Sequence, residues 1–117
     1  MHRSRILALA ASVALFACGE SKPEDPLAAG RRLFAGQGCM ACHMSRGEGS
    51  MMGPPLRGLA ANWTREAIAS YLADPESVAR KDERLKQVKL RYKTPMAPIK
   101  APEAERLLIA DYVLSFR

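Results

Sequence analysis

Aromatic side chains are scarce in this chain of 117 residues: one tryptophan, three tyrosines and three phenylalanines. A single domain of this size with so few rings buries only a modest core from its own side chains. Cysteine and histidine are scarcer still. Outside Cys39, Cys42 and His43, only Cys18 and His2 remain, so a zinc site built on the Cys39–Cys42 pair lacks a dependable fourth ligand. Strand signals are nearly missing, since period-two alternation is confined to Val88, Leu90 and Tyr92. No segment repeats. The one long apolar run, Ile6 to Ala17, makes about 18 Å of helix, too short for a bilayer core of about 30 Å.

That run has another use. Behind the basic head Met1-His2-Arg3-Ser4-Arg5, it has the length of a signal-peptide hydrophobic region, which predicts residues 1–17 as a signal peptide. Leu15-Phe16-Ala17-Cys18 resembles the lipobox of bacterial lipoproteins, with Phe16 departing from the small or branched residue usual at its place. On that reading Cys18 is the first mature residue and a lipid anchor; the alternative is a conventional secretory signal cut nearby. Either way the chain is exported. Residues 18–25 are polar, hold Pro23 and read as a flexible tether, leaving 26–117 as the domain.

The formal charge is +6 with a sequence pI near 9.6, and Arg3 and Arg5 of that surplus lie in the signal segment. The remaining excess is modest and gives no reason to expect a nucleic-acid partner.

Cys39-Met40-Ala41-Cys42-His43 carries the chemistry. Two thiols at i and i+3 share one side of a helical turn and can reach both vinyl groups of one porphyrin, while the adjacent imidazole falls beneath the iron. The spacing is the attachment signature of a c-type haem. A redox-active Cys-x-x-Cys pair is the rival, but the strand–helix context of a thioredoxin-like fold is missing. A haem would also supply the large apolar plate that the core wants, and its two propionates would offset part of the positive charge.

Helix signals dominate the rest. Asp25-Pro26 reads as N-cap and first helical residue of a helix from Pro26 to about Ala35, with Leu27, Gly30, Leu33 and Phe34 near one face. Gly30, costly inside a helix, marks either a close helix crossing or an inert surface position. Met44 to Gly58 is too rich in glycine and proline for regular structure. Thr64 caps a third segment bearing Ile68, Tyr71 and Leu72, and Asp74-Pro75 ends it. Between Glu76 and Lys93 the spacing predicts a short helix followed by an extended approach to Thr94-Pro95. Pro102 opens the last helix, whose stripe is Leu108, Ile109, Tyr112, Val113 and Phe116, with Glu103 and Glu105 in its first turn. The fold class is all-α.

From the first helix through Cys39–His43, the Gly53-Pro54-Pro55-Leu56-Arg57-Gly58 loop, Met96 and the last helix, the chain resembles a class I c-type cytochrome over about residues 26–116. The resemblance implies a monohaem bacterial protein with a small cytochrome c fold, three to five helices wrapped around one covalently attached haem. It implies thioether bonds from Cys39 and Cys42, His43 as proximal iron ligand, and a Pro54 carbonyl that accepts the imidazole N–H. Gly30 and Phe34 match the glycine and aromatic with which that family's first helix crosses its last, here near Ile109 and Tyr112. Trp63 and Tyr92 match aromatics that donate to a buried propionate, or they simply pack.

The distal ligand lies among Met40, Met44, Met51, Met52 and Met96. The first two adjoin the attachment turn, and Met51 and Met52 sit in the loop on the proximal side. Met96 is far enough along the chain to wrap the porphyrin, stands between Pro95 and Pro98, and resembles the family's distal methionine; Lys93 is its rival. The basic run Arg80, Lys81, Arg84, Lys86, Lys89, Arg91 and Lys93 is a solvated face or a docking patch for an acidic redox partner. The expected function is a periplasmic one-electron carrier with His/Met ligation and not an enzyme itself. The alternatives are the haem subunit of a larger oxidoreductase and a ligand-binding haem sensor.

Overall fold

Side-chain caps set most of the helix starts. The computed structural model describes residues 12–14, 19 and 22–117. Most of the expected signal segment, and Cys18, lie outside the described residues. Leu27 and Ala28 donate their N–H groups to Asp25 Oδ2, both at 3.1 Å, and α1 runs Pro26–Gly36. A one-turn helix α2, Met40–His43, follows. After a long loop and a 3₁₀ turn at Leu59–Ala61, Ala67 donates to Thr64 Oγ1 at 3.1 Å to start α3, Arg65–Ala73. Asp74 caps α4, Pro75–Arg80, and Asp82 caps α5, Glu83–Arg91. Pro102 stands at the N-cap of α6, Glu103–Leu114, with Glu103 and Glu105 in the first turn. Among the described residues there is no strand, and the architecture is all-α. Among the described residues five helices exceed one turn, in line with the three to five expected.

Two local expectations fail. The stretch after Glu76 is two helices, because the Asp82 carboxylate accepts from Arg84 N and Leu85 N and restarts the helix one turn after α4 ends. Only residues 92–102 form the extended approach. Leu27 is not on the buried face: it is 46% exposed, one turn before the point where α1 meets α6, whereas Gly30, Leu33 and Phe34 are buried.

The crossing of α1 on α6 is very close. A Cβ on Gly30 would fall on Leu108 O and lie 2.7 Å from Tyr112 Cβ, so only glycine lets the two backbones meet. Phe34 stacks edge-on against Tyr112 and Phe116, with centroids at 5.5 and 5.8 Å. Phe34, Ile109, Ala110 and Val113 form one cluster with Leu33, Cys39, Ile68 and Leu72. The third wall is α3, tied to α6 by a two-point ion pair: Arg65 Nε to Asp111 Oδ1 at 2.7 Å and Nη2 to Oδ2 at 2.9 Å. By contrast α5 has no buried residue and joins α4 through Lys89 Nζ and Glu76 Oε2 at 2.6 Å. No helix among the described residues is long and apolar enough to cross a membrane.

Candidate functional site

A cavity of about 320 Å³ opens between these helices, and Cys39, Cys42, His43 and Met96 all line it. Its walls are mostly apolar, with Phe34, Ile68, Leu72, Ile109 and Val113 on the helix side. Cavities of roughly 300–1,000 Å³ with few convergent polar groups are the usual form of a cofactor site.

The chain turns into the site at Gly38, and Cys39 then donates its N–H to Phe34 O at 3.2 Å, joining α2 to the end of α1. The turn from Met40 to His43 puts both thiols on the cavity. Cys39 is buried and Cys42 half-buried; both are free. Burial pushes the Cys39 thiol above its ordinary pKa, with a smaller upward effect from Cys42, so it is held in the neutral S–H form.

His43 is 8% exposed, and its Nδ1 lies 2.8 Å from Pro54 O. A carbonyl oxygen only accepts, so Nδ1 carries the proton and donates. In the neutral ring that leaves Nε2 with its lone pair, the form that ligates a metal. The loop brings Pro54 there by folding back on α2: Gly49 donates N–H to His43 O at 2.9 Å, and Ser50 Oγ donates to Cys42 O at 2.7 Å. Gly49 sits at φ 81°, and a Cβ on it would lie 2.5 Å from Pro55 N and 2.9 Å from the Pro54 carbonyl carbon.

Met96 is half-buried on the strap of residues 92–102 and packs on the core. Trp63, Tyr92 and Lys93 also line the cavity, and Trp63 stacks edge-on against Tyr71 at 5.7 Å. Met40, Met44 and Met51 are 39%, 47% and 95% exposed and do not line it. Met52 does line it, beside Gly53 and Cys42, although it is 51% exposed. It sits beside the attachment turn, as its place in the proximal-side loop implies, because Ser50 Oγ ties the loop to Cys42 O. Glu76, Leu85, Val88 and Lys89 are further wall residues that sequence reasoning left out. The helical spacing of Leu85, Val88 and Tyr92 was the available signal.

The donor set suits a haem. Two thiols at one end can take vinyl groups, while an imidazole nitrogen and a thioether sulfur are iron ligands of the kind found in cytochromes. It does not suit zinc: among the described residues no three His, Cys, Asp or Glu side chains converge on one point.

A family model described as Cytochrome c matches residues 27–117, most of the chain. No curated protein sequence and no solved structure matches it.

Proposed function

The chain belongs to the cytochrome c family, and from that premise we propose that it is an exported one-electron carrier whose haem iron is held between His43 and Met96. The family binds one covalently attached haem c and serves haem-based electron transfer. When bound, the haem supplies an iron that alternates between ferrous and ferric states. The observation that carries the finer reading is the convergence of Cys39, Cys42, His43 and Met96 on one cavity.

Each residue has a separable role in this reading. Cys39 and Cys42 would hold the haem, each thiol supplying the S–H that adds across a vinyl group. The Nδ1–H bond to Pro54 orients the His43 imidazole and raises its basicity. Met96 contributes a soft thioether that favours the ferrous state and so raises the potential. Lys93 shares the wall, but its side chain belongs to an exposed residue, whereas Met96 is half-buried and packed, which favours the methionine. Trp63 and Tyr92 line the same wall and serve as candidate donors to a propionate. The apolar walls keep water from the metal, which further favours the lower charge state.

Arg80, Lys81, Arg84, Lys86, Lys89, Arg91 and Lys93 are all exposed on and around α4 and α5, and this basic stretch is the proposed docking region for an acidic redox partner. Export follows from the basic head and apolar run of residues 1–17. In the fuller version the carrier is periplasmic, with Cys18 acylated and 18–25 as tether; the intact mass of the mature protein distinguishes an acylated Cys18 from a plain cut.

Met96→Ala tests the core of the reading. The reduced variant should bind carbon monoxide, and its potential should fall. A six-coordinate low-spin spectrum with an unchanged potential would exclude Met96 as the ligand.

A further inference from the structure

The strap that carries Met96 packs on the core but has few hydrogen bonds to hold it. Residues 92–102 form no regular secondary structure, and Pro95, Pro98 and Pro102 have no N–H to give. Among the described residues, 93–101 make one backbone–backbone hydrogen bond, from Ile99 N–H to Leu72 O at 2.8 Å. The other fixed point is a side chain. Arg106, on α6, donates Nε–H to Ala69 O in α3 at 3.1 Å and Nη1–H to Ala101 O at 2.6 Å. Ala69 and Ala101 are 3% and 8% exposed, so water does not readily replace the guanidinium at either carbonyl.

We propose that Arg106 is a positioning residue for the distal ligand: it clamps the strap to α3 and α6 so that the Met96 sulfur stays at the cavity wall. The inference rests on the reading of Met96 as ligand. Its physical basis is the planar fork, whose N–H groups point at carbonyls on two different elements at once; the single ammonium of lysine is poorly shaped for both. With the fork gone, the Ala101 carbonyl is left buried and unpaired. It regains a partner if the strap swings out to water, and that motion draws Met96 away from the wall.

Arg65 provides the control. It joins the same two helices through Asp111, and both hydrogen bonds of that pair run between α3 and α6 without a strap residue. Loss of α3–α6 docking alone is therefore reported by Arg65→Gln, and loss of the clamp by Arg106→Gln.

The experiment measures carbon monoxide uptake by the reduced holoprotein, the reduction potential and the thermal unfolding midpoint. It compares the wild type with Met96→Ala, Arg106→Gln, Arg106→Lys and Arg65→Gln. Met96→Ala should take up carbon monoxide and shift the potential down. Arg106→Gln should take it up about tenfold faster than Arg65→Gln, the bias expected from losing one charge-assisted hydrogen bond, and move its potential toward that of Met96→Ala. Arg65→Gln should lower the unfolding midpoint while uptake and potential stay at wild-type values. If Arg106→Gln fails to accumulate, Arg106→Lys gives the same reading with a smaller effect. The clamp is refuted if the Arg106 variant that accumulates matches Arg65→Gln in uptake and potential while Met96→Ala responds. If Met96→Ala itself leaves both unchanged, the ligand assignment falls and the clamp falls with it.

Discussion

His43 donates its Nδ1–H to the carbonyl oxygen of Pro54 across 2.8 Å, and Gly49 is the residue that lets that carbonyl come so near. The acceptor belongs to the backbone, so replacing Pro54 itself tests the bond poorly. Gly49→Ala tests it directly. Its Cβ would lie 2.9 Å from the Pro54 carbonyl carbon at a φ of 81°, so the loop must shift. Overpacking of this kind costs about 1–3 kcal/mol. The sign on the iron is separate from stability. Losing the Nδ1–H bond makes the imidazole a weaker donor, which disfavours the ferric state and raises the potential. Voltammetry on Gly49→Ala should show an upward shift; a lower or unchanged potential would mean that the bond does not tune the ligand.

Legibility in the sequence followed the range of the interactions. The thiol pair and its histidine lie within one helical turn, and the caps at Asp25 and Thr64 act over two or three residues, so spacing alone revealed them. Gly30 allowed either a crossing or an inert surface position from sequence, and only the approach to Leu108 decides for the crossing. The split into α4 and α5 was harder, since Leu85, Val88 and Tyr92 keep helical spacing whether or not Asp82 restarts the helix. Arg106 left no sequence signal: one of its carbonyl partners lies 37 residues away, and carbonyls have no sequence identity. Met52 was legible as part of the proximal-side loop, and Ser50 Oγ, tying that loop to Cys42 O, brings it to the cavity wall.

Gly30→Ala should damage the fold while sparing the metal. The added carbon collides with Leu108 O and Tyr112 Cβ, which are backbone or close to it and cannot rotate away. The α1–α6 crossing must open, at a cost of about 3 kcal/mol, the upper end for overpacking. Denaturant titration should show a lower midpoint, with the potential and the carbon monoxide inertness of the reduced protein unchanged. A midpoint equal to wild type would show that the helices slide apart freely.

The Lys89–Glu76 pair predicts a pH dependence for α5. Lys89 donates to Glu76 Oε2 at 2.6 Å, and this bond together with the lysine charge holds the Glu76 carboxyl below its ordinary pKa. The folded value is therefore lower than the unfolded one. The pair's contribution is fully present above the unfolded carboxylate pKa of about 4.3 and is lost as pH falls through the lower folded value. Denaturant midpoints of wild type and Glu76→Gln should differ slightly at neutral pH and converge in acid. Both side chains are about half exposed, so the neutral difference should shrink in high salt as well. A gap that persisted unchanged into acid would assign it to packing instead.

The basic stretch makes the last prediction, and it needs no identified partner. If electrons leave near α4 and α5, a small anionic metal complex is drawn to the exchange site and a cationic one is repelled. Raising salt shortens the Debye length to about 3 Å at 1 M, so it should slow oxidation by the anionic complex and speed oxidation by the cationic one. Lys81 and Arg91 are exposed and flank the cavity-lining residues Leu85 and Val88 in the sequence. The double variant Lys81→Glu/Arg91→Glu removes two positive charges and adds two negative ones without touching a cavity wall. Stopped-flow rates across ionic strength should show its two salt slopes flattened relative to wild type, with the potential unaltered. Equal slopes for wild type and variant would place electron exchange away from this stretch.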